Sequence, residues 1–327
     1  MPARLLASVA ETVTSRARSG PSRPSWSFGF EVMARTLRKT GLSIGQRTPL
    51  EQRAAWEQIA KAKPNPLRRQ LTVTPVDAGG VPAKWVVPRG VAEDAPVLVF
   101  LHGGGYRYGS WQTHGEVVSR IITATQVRAL FVEYRLSPEH RFPAAPDDCL
   151  AATRWVLAQT PPSRVVVGGD SAGGTLTLAV LLSLRDAGDA LPAGGLCLSP
   201  WVDPTERGGS LRENAKWDWA APEEFDDWMR TYLDDADLRD PRAAPMHADL
   251  RGLPPLLLQV GSAEMLHDQV VAFARRVQAA GVDATLQVAP DMVHNWHTLA
   301  GMFPKGEPGR GIAQCAEFIR RVSPNGR

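Results

Sequence analysis

The stretch Gly169-Asp170-Ser171-Ala172-Gly173 sets a serine between two glycines, and Ser171 is the first candidate for chemistry in this chain. A serine hydroxyl is a poor nucleophile until a base takes its proton, and the oxyanion it creates needs fixed donors. Acyl transfer at Ser171 would therefore require a histidine, an acid and a glycine-rich turn at defined topological places. On its own the pattern also fits an ordinary strand-helix turn, since 29 glycines make a chance match unsurprising.

The base belongs in the loop after the last strand, following nucleophile and acid in chain order. Of the seven histidines only those in and just after Pro290-Asp291-Met292-Val293-His294-Asn295-Trp296 sit there, with His294 first and His297 second. Asp291 shares that loop and reads as a turn residue. The acid belongs just after the preceding strand, where Gly261-Ser262-Ala263-Glu264-Met265-Leu266-His267-Asp268 offers two carboxylates. Glu264 comes first, in the loop. Asp268 opens the following helix, where a negative charge suits the helix dipole. The glycine turn is His102-Gly103-Gly104-Gly105-Tyr106, directly after an apolar run. Its glycines let the backbone approach a carbonyl and aim N–H groups at it. His102 is expected to hold this loop through a hydrogen bond rather than act as base.

The elements around these residues alternate. β-rich runs at 71–76 and 83–88, split by Asp77-Ala78-Gly79-Gly80, predict a hairpin. Apolar runs at 97–101, 129–134, 165–167, 195–199, 256–260 and 285–288 predict six more strands. Between and after them, helical patterns cover 114–125, 144–158, the stretch after Ser171, 267–280 and about 311–322. Strands alternating with helices imply a mostly parallel sheet covered on both faces. At the elbow, a β-branched strand ends in glycine and a helix begins at Ser171, its positive end facing the site of a future oxyanion. A side chain at either flanking glycine is expected to collide with the nucleophile. Residues 1–65 read as amphipathic helices broken at Gly20-Pro21-Ser22-Arg23-Pro24-Ser25, with a helix start at Thr48-Pro49-Leu50-Glu51. Residues 205–245 are acidic, tryptophan-rich and read as helical. They form either a lid or a surface helix pair burying its aromatics.

Composition narrows the classes. At 327 residues, 43% hydrophobic and 22% charged, the chain has the makings of a sizeable globular core. Its 37 basic against 34 acidic residues give no electrostatic case for nucleic acid. Cys149, Cys197 and Cys315 stand far apart with no disulfide framework, which suits a reducing cytosol. No apolar run approaches the length of a membrane span, and the N-terminus shows no signal-peptide pattern. The expected location is cytoplasmic.

Four motifs occur in order: His102-Gly103-Gly104-Gly105, Tyr134-Arg135-Leu136-Ser137-Pro138-Glu139-His140, Phe142-Pro143-Ala144-Ala145-Pro146-Asp147-Asp148 and Gly169-Asp170-Ser171-Ala172-Gly173-Gly174. Together, over roughly residues 30–322, they resemble the bacterial hormone-sensitive-lipase family (family IV) of α/β-hydrolase esterases. The resemblance implies an α/β-hydrolase fold with a mostly parallel eight-stranded sheet, flanking helices and a helical cap. The cap would comprise residues 1–65 and an insertion at 205–235, and the core residues 66–204 and 236–327. It maps the nucleophile onto Ser171, the histidine onto His294 and the oxyanion donors onto Gly104, Gly105 and Ala172, with His102 and Asp170 supporting. The family's acid motif usually reads Asp-Pro-Leu-x-Asp; Glu264-Met265-Leu266-His267-Asp268 departs from it, in a register that puts Glu264 on the catalytic position and Asp268 on the supporting one. The implied activity is hydrolysis of short- to medium-chain carboxylic esters through an acyl-enzyme, without metal or organic cofactor. A lactone hydrolase, an amidase and a non-catalytic small-molecule receptor are the rivals. The expected partner is a small ester or lactone, and a homodimer is left open.

Overall fold

The computed structural model describes residues 2–63 and 65–323. Its centre is an eight-stranded sheet in the order β1-β2-β4-β3-β5-β6-β7-β8. The hairpin is β1 (Leu71–Asp77) with β2 (Pro82–Pro88), and β2 runs antiparallel to β4 (Arg128–Val132). The remaining strands are parallel: β3 (Val97–Leu101), β5 (Val165–Asp170), β6 (Gly194–Leu198), β7 (Leu256–Gly261) and β8 (Ala284–Ala289). This is the mostly parallel eight-stranded architecture that the alternation implied.

The central strands are apolar without interruption because both faces of the sheet are covered. Val97, Val99, Leu101, Val165 and Val167 point to one side. There they meet α5 (Ala144–Leu157), α6 (Ala172–Asp186) and α9 (His267–Ala279). Leu98, Phe100, Val166, Leu196 and Leu257 point to the other, against α4 (Trp111–Thr125) and α10 (Glu307–Val322). The period-two split of side chains is the direct consequence of the pleat.

Two helices start earlier than their apolar patterns suggest. At α4, the Ser110 side chain accepts from the N–H groups of Gln112 and Thr113, a cap that draws Trp111 into the first turn. At α10, Pro308 lies in the first turn behind Gly306. Its glycines serve packing: a Cβ on Gly311 would run into the Trp296 ring. β4 is shorter than expected. The last ladder pair is Ala83 with Val132, and Tyr134 leaves the sheet to donate its hydroxyl to the His102 carbonyl at 2.6 Å.

Before the sheet come α1 (Pro2–Ser19), α2 (Phe28–Gly45) and α3 (Pro49–Lys61), broken where the Gly/Pro/Ser run predicted. Fully buried Glu31 of α2 ties α2 to α1 and the loop between them, accepting from Arg16 at 2.8 Å, Ser22 at 2.5 Å and Arg35 at 3.0 Å. Trp26 and Phe30 then pack with Met292, Val293 and Trp296 beside His294, and the Trp26 indole donates to the Asp291 carbonyl. Residues 205–245 are less helical than expected. They hold only α7 (Ser210–Glu213), α8 (Pro222–Leu233) and a short 3-10 turn at Pro245–His247, while Phe225, Trp228 and Tyr232 are buried in the main core.

Candidate active site

β5 passes into α6 through Ser171, which has φ 54° and ψ −122°. Non-glycine residues avoid this region, so its occupation at a catalytic candidate marks backbone strain. The flanking glycines are required, but not for the reason the sequence suggested. A Cβ on Gly173 would strike the Leu101 carbonyl and the backbone of His102, and one on Gly169 would strike Leu101 and Gly173 carbonyls. The nearest obstacle is thus the end of β3 and the turn itself, not the serine. The elbow is pressed against the glycine loop that follows β3.

That loop is held from several sides. His102 is buried, its Nδ1 lies 2.8 Å from the Gly103 carbonyl, and its ring stacks on Tyr134 at 4.3 Å. Burial pushes its imidazole down to about 3, so it stays neutral and serves as an anchor. Asp170 accepts from the Gly103 N–H at 3.1 Å and from Asn295 Nδ2 at 2.8 Å, tying elbow, glycine loop and histidine loop together. His114 Nε2 lies 3.4 Å from the same carboxylate. Gly104 and Gly105 adopt φ 117° and 58°, and among the described residues no hydrogen bond occupies their N–H groups. Ala172 is the first residue of α6 and has no intrahelical acceptor. The N–H groups of Gly104, Gly105 and Ala172 therefore carry no hydrogen bond among the described residues.

Ser171, His294 and Glu264 form one hydrogen-bonded line. His294 Nε2 stands 2.9 Å from Ser171 Oγ, and His294 Nδ1 stands 3.1 Å from Glu264 Oε2. The other Glu264 oxygen accepts from Ser199 Oγ at 2.7 Å and from the Gly261 N–H at 2.6 Å. Burial lifts the Glu264 carboxyl above its usual range, and the bond to His294 works against that rise. For His294, burial works to lower the pKa. The bond to Glu264 and the charges of Glu264, Asp218 and Asp170 outweigh it and lift the imidazole above 6.5. Such a line can take a proton from the hydroxyl and hold it on the imidazole.

The other sequence candidates lie elsewhere. His297 Nε2 bonds Gln259 Oε1 at 2.9 Å, and burial pushes it down to about 3. Asp268 is bonded not to His294 or Glu264 but to the Ser210 N–H at 2.8 Å and to His267. Asp291, at φ 57°, accepts from the Ser25 N–H at 3.1 Å, as a turn residue does. Three contributors escaped the sequence reading: Ser199, Asn295 and Asp218. Ser199 follows β6 and Asn295 follows the histidine, so position alone could have flagged both. Asp218 had no signal: its partners Met265 and His294 are 47 and 76 positions away.

Aromatic side chains wall the line in. The Trp219 ring lies 5.8 Å from the His294 ring, and Trp56 meets Trp219 at 5.7 Å. Trp228 presses on Gly105 so closely that a Cβ there would touch its indole. Among the described residues no group of three His, Cys, Asp or Glu suits a metal, and no helix is long and apolar enough to cross a membrane.

Comparison with known proteins agrees with this architecture. A family model for the alpha/beta hydrolase fold matches residues 98–298. The chain is 40% identical over 253 residues to an acetyl-hydrolase of Streptomyces hygroscopicus, covering 77% of this chain and 83% of that one. It is 33% identical over 245 residues to carboxylesterase NlhH of Mycobacterium tuberculosis, covering 71% and 77%. A solved esterase of the bacterial hormone-sensitive lipase family superposes with TM-score 0.82 at 39% identity, with 88% of this chain and 97% of that chain covered. EstE5, solved after soaking with p-nitrophenyl butyrate, gives TM-score 0.82 at 38% identity, with 89% and 97% covered. With the fold, the elbow and these relatives in agreement, the chain belongs to the bacterial hormone-sensitive-lipase family of α/β-hydrolase esterases.

Proposed function

We propose that this esterase cleaves short- to medium-chain carboxylic esters through a Ser171–His294–Glu264 triad and an acyl-enzyme. The observation that carries the reading is the unbroken line from Glu264 through His294 to the strained Ser171 hydroxyl. His294 Nε2 takes the hydroxyl proton as Oγ bonds the substrate carbonyl carbon, and the carbonyl electron pair moves onto oxygen. The backbone N–H groups of Gly104, Gly105 and Ala172 receive that oxyanion. Collapse breaks the bond to the leaving alcohol, which takes the proton from His294. Water then repeats the sequence on the acyl-enzyme, giving the acid and free Ser171. Glu264 keeps the imidazole in the tautomer whose Nε2 can accept, and it stabilises the imidazolium.

The helices of residues 1–65 and the insertion at 205–235 serve as the cap over this site. The closeness of Trp219 and Trp228 to His294 and Gly105 supports small acyl groups. Three free, buried cysteines support a reducing, cytoplasmic setting. The test is hydrolysis of p-nitrophenyl esters of increasing acyl length by the wild type and Ser171→Ala. Rates should peak at short to medium chains and vanish in the variant. Substantial turnover by folded Ser171→Ala would overturn the assignment.

A further inference from the structure

We propose that Asp218, carried by the insertion between α7 and α8, is a positioning residue that pins the loops of Glu264 and His294 to each other. The proposal rests on the triad reading above. Asp218 is 1% exposed. Its Oδ2 accepts from the Met265 N–H at 3.0 Å, and its Oδ1 accepts from the His294 N–H at 3.1 Å and from the Trp219 N–H at 2.9 Å. One carboxylate thus holds the backbone next to the acid and the backbone of the base itself. These loops leave two different strands, β7 and β8, and their separation sets the 3.1 Å contact between Glu264 and His294.

A buried carboxylate without a cation is expensive, so its presence needs a reason. Among the described residues no Lys or Arg pairs with the Asp218 carboxylate, whose partners are N–H donors; Arg38 donates instead to the Asp218 backbone carbonyl at 3.4 Å. Burial lifts the Asp218 carboxyl above its usual range, and the charge of His294 and these N–H donors work against that rise. Neighbouring residues of the same segment bind the acid loop too. Asn214 Nδ2 donates to the carbonyls of Ser262 at 3.2 Å and Glu264 at 2.9 Å. Ser210 Oγ donates to the Met265 carbonyl at 2.9 Å, and Asp268 accepts the Ser210 N–H. From outside, α2 locks the segment down: Gly41 lies so close to the Trp219 carbonyl that a Cβ could not fit. Residues 210–219 therefore act as a third wall of the catalytic centre. The charged and titratable groups facing the His294 ring are Glu264, Asp218 and Asp170, with neutral His297 beyond.

The experiment is kinetics on Asp218→Asn and Asn214→Ala, with Ser171→Ala alongside, using p-nitrophenyl butyrate well below each melting temperature. An asparagine can accept at only one oxygen, so its NH2 must face either the Met265 or the His294 N–H. A misplacement of this kind costs up to about a hundredfold in rate. For Asp218→Asn, kcat should fall about 10- to 100-fold with KM little changed. The acid limb of kcat/KM should move to lower pH, because a negative charge beside the imidazole is gone. Asn214→Ala leaves every buried charge in place; it should lower kcat by about three- to tenfold with the acid limb unmoved, and it carries the test if Asp218→Asn does not fold. An inactive Ser171→Ala beside an Asp218→Asn with unchanged kcat and acid limb overturns the positioning role alone. If Asp218→Asn does not fold, an unchanged kcat in Asn214→Ala overturns it. Turnover retained by Ser171→Ala overturns the triad reading and the positioning role with it.

Discussion

The assignment of the acid is the sharpest place to test this site, because two carboxylates stand four residues apart after β7, Glu264 in the loop and Asp268 in the first turn of α9. Glu264→Gln keeps the shape and removes the charge. The glutamine oxygen can still accept from Ser199 Oγ and the Gly261 N–H, which leaves its NH2 facing His294 Nδ1. The imidazole must then accept at Nδ1 and carry its proton on Nε2, so it cannot take the Ser171 proton. The lost charge adds to this. With about 4 Å between charge centres and an effective dielectric constant of about 20, a carboxylate stabilises an imidazolium by ~4 kcal/mol. At ~1.4 kcal/mol per decade that is roughly a thousandfold in rate. The same carboxylate-to-amide change in a serine protease triad, which removes the charge and fixes the wrong tautomer together, costs about 10^4, so the loss here should lie between about 10^3 and 10^4 in kcat. KM should change little, since Glu264 sits behind the imidazole, and the melting temperature should hold because no cavity opens. Asp268→Asn instead weakens a half-exposed tie between Ser210 and α9, a loss of about 1 kcal/mol of stability and little of kcat. The assay is steady-state hydrolysis of p-nitrophenyl butyrate with burst titration of active enzyme. A larger kcat loss in Asp268→Asn, or a Glu264→Gln within tenfold of wild type, would refute the reasoning.

Three further outcomes are expected. The acid limb of kcat/KM should have its midpoint above 6.5, since the Glu264 bond and nearby carboxylates hold the His294 imidazole up; a midpoint near 5 would contradict that balance. His102 and His297 are held neutral, down to about 3, whereas unfolded histidines protonate near 6.5. Their contribution to stability is present above pH 6.5 and is lost as pH falls from there toward 3, so the urea midpoint should decline across that window; a flat midpoint down to about pH 4 would refute it. Gly173→Ala drives a Cβ into the Leu101 carbonyl and should cost about 1–3 kcal/mol by overpacking, together with most activity; a melting curve like that of wild type would show that the elbow has room to relax.

The strands themselves and the candidates Ser171, His294 and Glu264 were legible because each rests on a pattern along the chain. An uninterrupted apolar run reports a central strand, a glycine pair reports a close backbone approach, and chain order reports which loop follows which strand. The sequence was silent where a side chain answers to a distant backbone. Asp218 lies in a segment with no strand and a short helix, and its acidic, tryptophan-rich surroundings read as a lid or a surface helix pair. Its role exists only after α2 and the insertion have closed on loops 47 and 76 positions away. The same limit explains the elbow glycines: their need was visible, but the Leu101 carbonyl that imposes it comes from the neighbouring strand β3, far back along the chain.

That distinction bears on how the cap and the chemistry are coupled. A lid that merely covers a finished site can open without disturbing it, and its sequence is free to drift toward any aromatic lining that suits the substrate. Here one half of the insertion supplies aromatics, Phe225 and Trp228, to the walls, while the other half supplies Asn214 and Asp218 to the acid and base loops themselves. The two halves answer to different constraints. Substitutions on α8 should alter which ester enters, and substitutions at 214–218 should alter turnover of every ester alike. Under the proposed function, specificity and catalytic competence are assigned to adjacent stretches of the same insertion, separated by Trp219, whose ring faces His294 and whose backbone seats on Gly41.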